Sequence, residues 1–232
     1  MSELVLVTGA TGGIGRAVAA RLAHLGLVPV IGYRAAKEAE ALALAASCRG
    51  FPVTLDMADS GSIDNVLAAL ADDNRRLAGV VLAASPPPVL APFGRVMAGD
   101  HERFWTVNVI GNHRLLSGLV KRCFRKHHRG SVVAVLSKAM GGAGRAAMPN
   151  MGAYTISKFG LQGVMALLAA EFPWLHTSVV RPGFTETPML QAFDARFLDL
   201  LRQRESFANP AALAIDIVDR LALMPRGVPD AP

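Results

Sequence analysis

Two cysteines and two tyrosines are all that 232 residues contain of either kind, and the scarcity closes off several chemistries. Cys48 and Cys123 stand far apart, without CxxC or metal-ligand spacing, so neither a disulfide framework nor a thiolate cluster is expected. The histidines, at 24, 101, 113, 127, 128 and 176, form no HxxxH or HxxE pattern, and no metal is expected. Long hydrophobic runs are missing too. No stretch reaches bilayer length without Pro, Gly or charge, and Met1-Ser2-Glu3-Leu4 puts no basic segment before the first apolar run. A soluble, cytoplasmic chain with no membrane partner is therefore expected. Internal repeats and low-complexity linkers are likewise missing, and residues 1–232 read as a single domain.

Apolar side chains are abundant, at 52% with a mean hydropathy of +0.35, which suits a sheet buried on both faces. Lys and Arg outnumber Asp and Glu by 24 to 18, a net charge of +6. Phosphorylated cofactors, acidic carrier proteins and nucleic acid all have the right sign for a partner. The charge concentrates in Lys121-Arg122-Cys123-Phe124-Arg125-Lys126-His127-His128-Arg129. Two readings stay open there: cations gathered at a helix C-terminus, where the dipole favours them, or a docking patch for an acidic partner.

Short apolar runs near 4–7, 28–33, 52–55, 79–84, 131–137 and 177–181 alternate with helical periods near 14–25, 36–47, 60–75, 101–122, 153–172 and 210–223. That alternation predicts a doubly wound parallel α/β sheet, with ligands at the carboxyl ends of its strands. The run Leu4-Val5-Leu6-Val7 leads into Thr8-Gly9-Ala10-Thr11-Gly12-Gly13-Ile14-Gly15 and then into a helical period. Strand, glycine turn and helix make a dinucleotide-binding start, because glycines let the backbone turn tightly and approach a pyrophosphate. Tyr154 and Lys158 lie four residues apart and share a helix face, where an ammonium can acidify a phenol. A plain surface pair has the same spacing.

With TGxxxGxG at Thr8 to Gly15, YxxxK at Tyr154 to Lys158, and Pro182-Gly183-Phe184-Thr185-Glu186-Thr187 in place of PGxxxT, the chain resembles the short-chain dehydrogenase/reductase family from residue 4 to about 222. The longer, sugar-nucleotide-modifying branch is matched only at the front, through Gly9, Gly12 and Gly15. The resemblance implies a Rossmann-type fold and hydride transfer with a nicotinamide cofactor. Tyr154 is then the general acid, Lys158 its electrostatic partner and a ribose ligand, and Asn108 the holder of a proton-relay water. A Ser should orient the carbonyl. Ser137 ends the fifth strand in register, although the gap to Tyr154 is long, so an insertion is assigned to Gly141–Gly152. Thr8, Gly9, Thr11, Gly12, Gly13, Ile14, Gly15, Ala84, Pro182, Gly183, Thr185 and Thr187 are expected around the cofactor. Asp56 and Met57 are expected at its adenine. Arg34 stands where an NAD-selective protein would usually carry an acid, so NADP is expected; a strand-end Arg can also snorkel to solvent.

Two departures from the family pattern are visible. Leu82-Ala83-Ala84-Ser85 replaces Asn-Asn-Ala-Gly, and the proline-broken Leu223–Pro229 implies a missing or vestigial final edge strand before a frayed tail at about 225–232. Residues 185–209 are expected to form a substrate lid. Leu190, Phe193, Phe197, Leu200 and Leu201 make its apolar stripe, or else pack on the core. The resulting expectation is an NADPH-dependent ketoreductase acting on a 3-ketoacyl thioester of coenzyme A or a carrier protein, with the carrier received at Lys121–Arg129. The alternatives are a reductase of a free ketone or polyketide-like metabolite, and a cofactor-binding regulator without turnover. No nucleic-acid partner is expected. The apolar surface of Phe159, Leu161, Val164, Met165, Leu167 and Leu168 predicts a homodimer, with a tetramer as the alternative.

Overall fold

The computed structural model describes residues 3–142 and 144–223. Six parallel strands form one sheet: β1 (Leu4–Thr8), β2 (Val28–Tyr33), β3 (Phe51–Thr54), β4 (Leu77–Leu82), β5 (Ser131–Val135) and β6 (His176–Val180), in the spatial order β3-β2-β1-β4-β5-β6. β1, β4 and β5 are buried along their whole length. This is why they read as continuous Val/Leu runs with no alternation. All six strands lie within a few residues of the apolar runs that predict them.

Helices cover both faces. α1 (Gly13–His24), α2 (Glu38–Cys48) and α8 (Pro210–Asp219) pack Val18, Leu22, Leu44, Ile217 and Val218 on one side. On the other side α3 (Ser60–Asp72), α5 (Asn112–Leu119) and α6 (Gly152–Glu171) contribute Leu67, Leu116, Leu161 and Leu168. The helix expected near 101–122 is not uniform. α4 (Ala98–Trp105) passes into a π-wound segment, Thr106–Gly111, then α5, then a second π-wound segment, Val120–Phe124. The remaining helix, α7 (Ala195–Arg202), lies in the segment 185–209 expected to form a lid.

Strand order reverses between β1 and β4, which opens a crevice above their carboxyl ends. Thr8, at the end of β1, is fully buried, and its hydroxyl accepts from the amides of Ala83 and Ala84, both at 3.1 Å. Thr8 thus braces the loop after β4 with its hydroxyl. The expected tail and final edge strand fall largely on residues 224–232, outside the described residues.

Candidate active site

α3, α7 and α8 start on capping side chains: Asp59, Asp194 and Asn209 each accept from a first-turn amide. α1 starts differently. Gly12 offers no side chain, the first turn holds no acid, and the leading amides point outward unanswered by a side-chain cap. The turn before it is built on close approach. A Cβ on Gly9, where φ is +62°, would stand 2.8 Å from Ala84 Cα, and one on Gly13 would stand 2.6 Å from Thr187 Cβ. Bare amides in a cradle that side chains would fill fit the pyrophosphate of a dinucleotide. Thr11, Ile14 and Gly15 complete the turn, and Ile14 and Thr187 line the adjoining cavity.

At the far end of that crevice Arg34 follows β2, exposed and, among the described residues, without an ion pair. Nearby, Glu40 is already shared by Lys37 at 2.6 Å and Arg16 at 3.7 Å, leaving Arg34 the uncommitted cation. Asp56 accepts from the Ala58 amide at 2.9 Å, which occupies one carboxylate oxygen, while the Met57 side chain is core.

Tyr154 and Lys158 project from the buried face of α6. Phe104 meets the Tyr154 ring edge-on, with centroids 5.9 Å apart, and fixes its plane. Burial pushes the Tyr154 hydroxyl above its ordinary pKa, and a hydrogen bond with Ser137 pulls the other way. The strand-end serine and the helix tyrosine thus line one cavity despite the long intervening loop. That loop folds back through a bond from the Met148 amide to Ala139 O at 2.9 Å, and Arg145 to Pro149 of the expected insertion line the cavity beside Ser137. Lys158 Nζ donates to Val135 O at 2.8 Å and lies 5.6 Å from the centre of the Tyr154 ring. Its pKa falls to about 8 through burial. The net direction for Tyr154 is upward, opposite to the acidification that the spacing suggested, because burial outweighs the pull of Ser137.

Asn108 lies in the first π-wound segment, fully buried, and its Nδ2 donates to Ser157 Oγ at 2.9 Å. Ser157 in turn donates to the Tyr154 carbonyl at 2.7 Å, and Asn112 Nδ2 donates to Asn108 O at 2.9 Å. This polar ladder ties the π-wound segment to the turn of α6 that carries Tyr154. Sequence reasoning missed Ser157 and Asn112; the signal for Ser157 was its place one residue before Lys158 and three after Tyr154. The unusual winding matters here, as π segments often mark sites where a helix redirects its groups.

Ser137, Tyr154 and Lys158 lie along a cavity of about 510 Å³ whose walls include Met148, Met151, Leu190, Phe193, Phe197 and Leu201. Pro182, Gly183, Thr185 and Thr187 line it from the β6 side. The segment expected as a lid closes on itself at its base, where Ala208 and Phe184 to Glu186 exchange backbone bonds of 2.8 and 3.0 Å. Phe184 then gathers Phe193, Phe197 and Phe207 at centroid distances of 5.4, 6.4 and 5.2 Å. Leu190, Phe193, Phe197 and Leu201 line the cavity as the lid reading expected, but Leu200 is 55% exposed and Leu198 is the buried one. The basic run sits elsewhere. It precedes β5, at the amino end of the sheet, and a five-residue strand of roughly 16 Å separates it from Ser137.

The family model of the short chain dehydrogenases matches residues 3–196. A 3-oxoacyl-[acyl-carrier-protein] reductase FabG of Aggregatibacter actinomycetemcomitans is 31% identical over 196 residues, 82% of this chain and 79% of the relative. A short-chain dehydrogenase/reductase of Armillaria gallica is 26% identical over 199 residues, 83% and 74% of the two chains. Among solved structures, a single-substitution variant of actinorhodin polyketide ketoreductase with NADPH superposes with a TM-score of 0.84 over 97% of this chain and 91% of that one; at 22% identity this likeness concerns the fold. Among the described residues no helix is long and apolar enough to cross a membrane.

Proposed function

From the premise that the chain belongs to the short-chain dehydrogenase family, we propose an NADPH-dependent ketoreductase whose substrate is a 3-ketoacyl thioester. The observation that carries the reading is the meeting of Ser137, Tyr154 and Lys158 beside an apolar cavity. When bound, the reduced nicotinamide would supply a hydride to the carbonyl carbon. The chain's own residues manage the oxygen. Tyr154, kept protonated by burial, hands its proton to the carbonyl oxygen, and the Ser137 hydroxyl donates to the same atom as charge builds on it. Lys158, largely protonated at neutral pH, stabilises the tyrosinate left behind. Asn108 acts behind them, holding α6 through Ser157 and supporting the proton path.

The glycine turn, with Thr11, Ile14, Gly183, Thr185 and Thr187, would hold the cofactor, and Arg34 would hold a 2′-phosphate. The 3-oxoacyl reductases among the relatives support the thioester. The phenylalanine wall supports the second reading, a free or polyketide-like ketone. The remote position of Lys121–Arg129 favours a free or coenzyme A substrate over carrier docking at that patch. A regulator without turnover would have no use for the buried Tyr154 and Lys158. Carbonyl-dependent NADPH oxidation tests the proposal, and Tyr154→Phe should lower kcat by on the order of 10²–10⁴. A wild type that binds NADPH yet oxidises none with any ketone would establish the regulator instead.

A further inference from the structure

The charged lining of the cavity is one-sided. Lys138, Arg145 and Lys158 line it, and the only carboxylate among the described lining residues is Glu205. Lys158 is committed to Val135 O. Arg145 and Glu205 approach to 3.6 Å across the mouth, with side chains 60% and 38% exposed, and so open an ion pair is weak and readily exchanged. Lys138 is the uncommitted cation. Its amide is fixed to Pro182 O at 2.8 Å, its Cδ lies 3.5 Å from where a Gly183 Cβ would stand, and among the described residues no carboxylate pairs with its ammonium. It directly follows Ser137 in the chain and stands exposed at the rim of the cavity. The remaining walls, from Met148 and Met151 to Phe184, Phe193 and Phe197, are apolar. An anion reaching these exposed cations would gain a charge-assisted bond that a neutral ligand of the same shape would not.

We infer that the cavity takes a ketone whose apolar body ends in an anionic group, carboxylate or phosphate, bound by Lys138 with Arg145 as the second cation. The inference rests on the ketoreductase reading for the carbonyl, but the anion preference is a matter of binding and is measured without turnover. Calorimetric titration into protein saturated with NADP+, which cannot reduce a ketone, compares two matched pairs: 4-oxo-4-phenylbutanoate against its methyl ester, and acetoacetyl-coenzyme A against the acetoacetyl thioester of N-acetylcysteamine. The anionic member should bind at least about tenfold tighter in one pair, about 1.4 kcal/mol, and Lys138→Met should collapse that ratio, with Arg145→Gln lowering it in part. Preference in the first pair alone assigns a carboxylate on the substrate body; preference in the second alone assigns the phosphates of a thioester carrier. Equal affinity within both pairs, no binding by any of the four, or a preference that survives both substitutions together overturns the inference. Preference in binding with no NADPH oxidation would leave it standing and remove the ketoreductase reading; oxidation with no preference would do the reverse.

Discussion

Lys158 carries an ammonium into the interior, 2% exposed, with Val135 O at 2.8 Å to receive it. Because burial brings its pKa from 10.5 down to about 8, the folded protein binds fewer protons than the unfolded chain between those values. Stability contributed by this group therefore rises with pH across that window. Tyr154, Cys48 and Cys123 shift upward through burial and work in the opposite sense as pH climbs past their ordinary values, so the lysine is read by difference. Relative to Lys158→Met, the wild type should gain on the order of 3 kcal/mol from pH 8 to 10.5 in urea unfolding. A constant offset between the two proteins would show that the lysine is not held at a depressed pKa. Tyr154, Lys158 and Ser137 were legible in the sequence because helix period and strand register fix where such residues point. The direction of the tyrosine's shift was not, since a four-residue spacing says nothing of how far water is excluded. The hydroxyl bonds of Thr8 were equally hidden: its place in the glycine motif is the same whichever neighbour that hydroxyl meets.

Elements whose neighbours lie on both sides were the most legible. β1, β4 and β5 are buried throughout and almost wholly apolar because helices cover both faces of the sheet. The π winding at Thr106–Gly111 was hidden, since one extra residue in a turn leaves the apolar period almost intact. Only tertiary contact reveals it, where a Cβ on Gly111 would come within 3.0 Å of the Met57 carbonyl carbon and Asn108 reaches Ser157. That reach is testable. Ser157→Ala leaves the buried Asn108 Nδ2 without its acceptor and should cost about 1–3 kcal/mol, seen as a lower urea midpoint at unchanged slope. An unmoved midpoint would mean that the asparagine finds another partner and that the ladder does not hold α6. The lid was legible as an amphipathic segment, but Leu198 and Leu200 exchange places relative to the expected stripe because the phenylalanine cluster sets the roll of α7.

Across the whole molecule, the surface that stands out belongs to α6 and the helix beside it. Of the residues expected to be exposed there, Leu161, Met165 and Leu168 are buried in the chain's own core, whereas Phe159 and Leu167 are 50% and 63% exposed. Ile156, Trp105 and Ile110 join them, at 43%, 43% and 54%. Over its 20 residues α6 carries only Lys158 and Glu171 as charges, and Lys158 faces inward, so the outer face is uncharged up to its last turn. Light scattering at micromolar concentration should give about twice 24.5 kDa, and Phe159→Glu should shift the population toward monomer, since a charge in a closed apolar contact is left unpaired. A wild-type mass of one chain would assign the patch to a bare surface. The two faces of α6 then have a joint consequence. The turn that aims Tyr154 inward is the same turn that presents Ile156 and Phe159 outward, so once that outer face is a contact between copies, specific activity becomes a function of dilution. Assays run at nanomolar enzyme would register assembly and chemistry in a single rate.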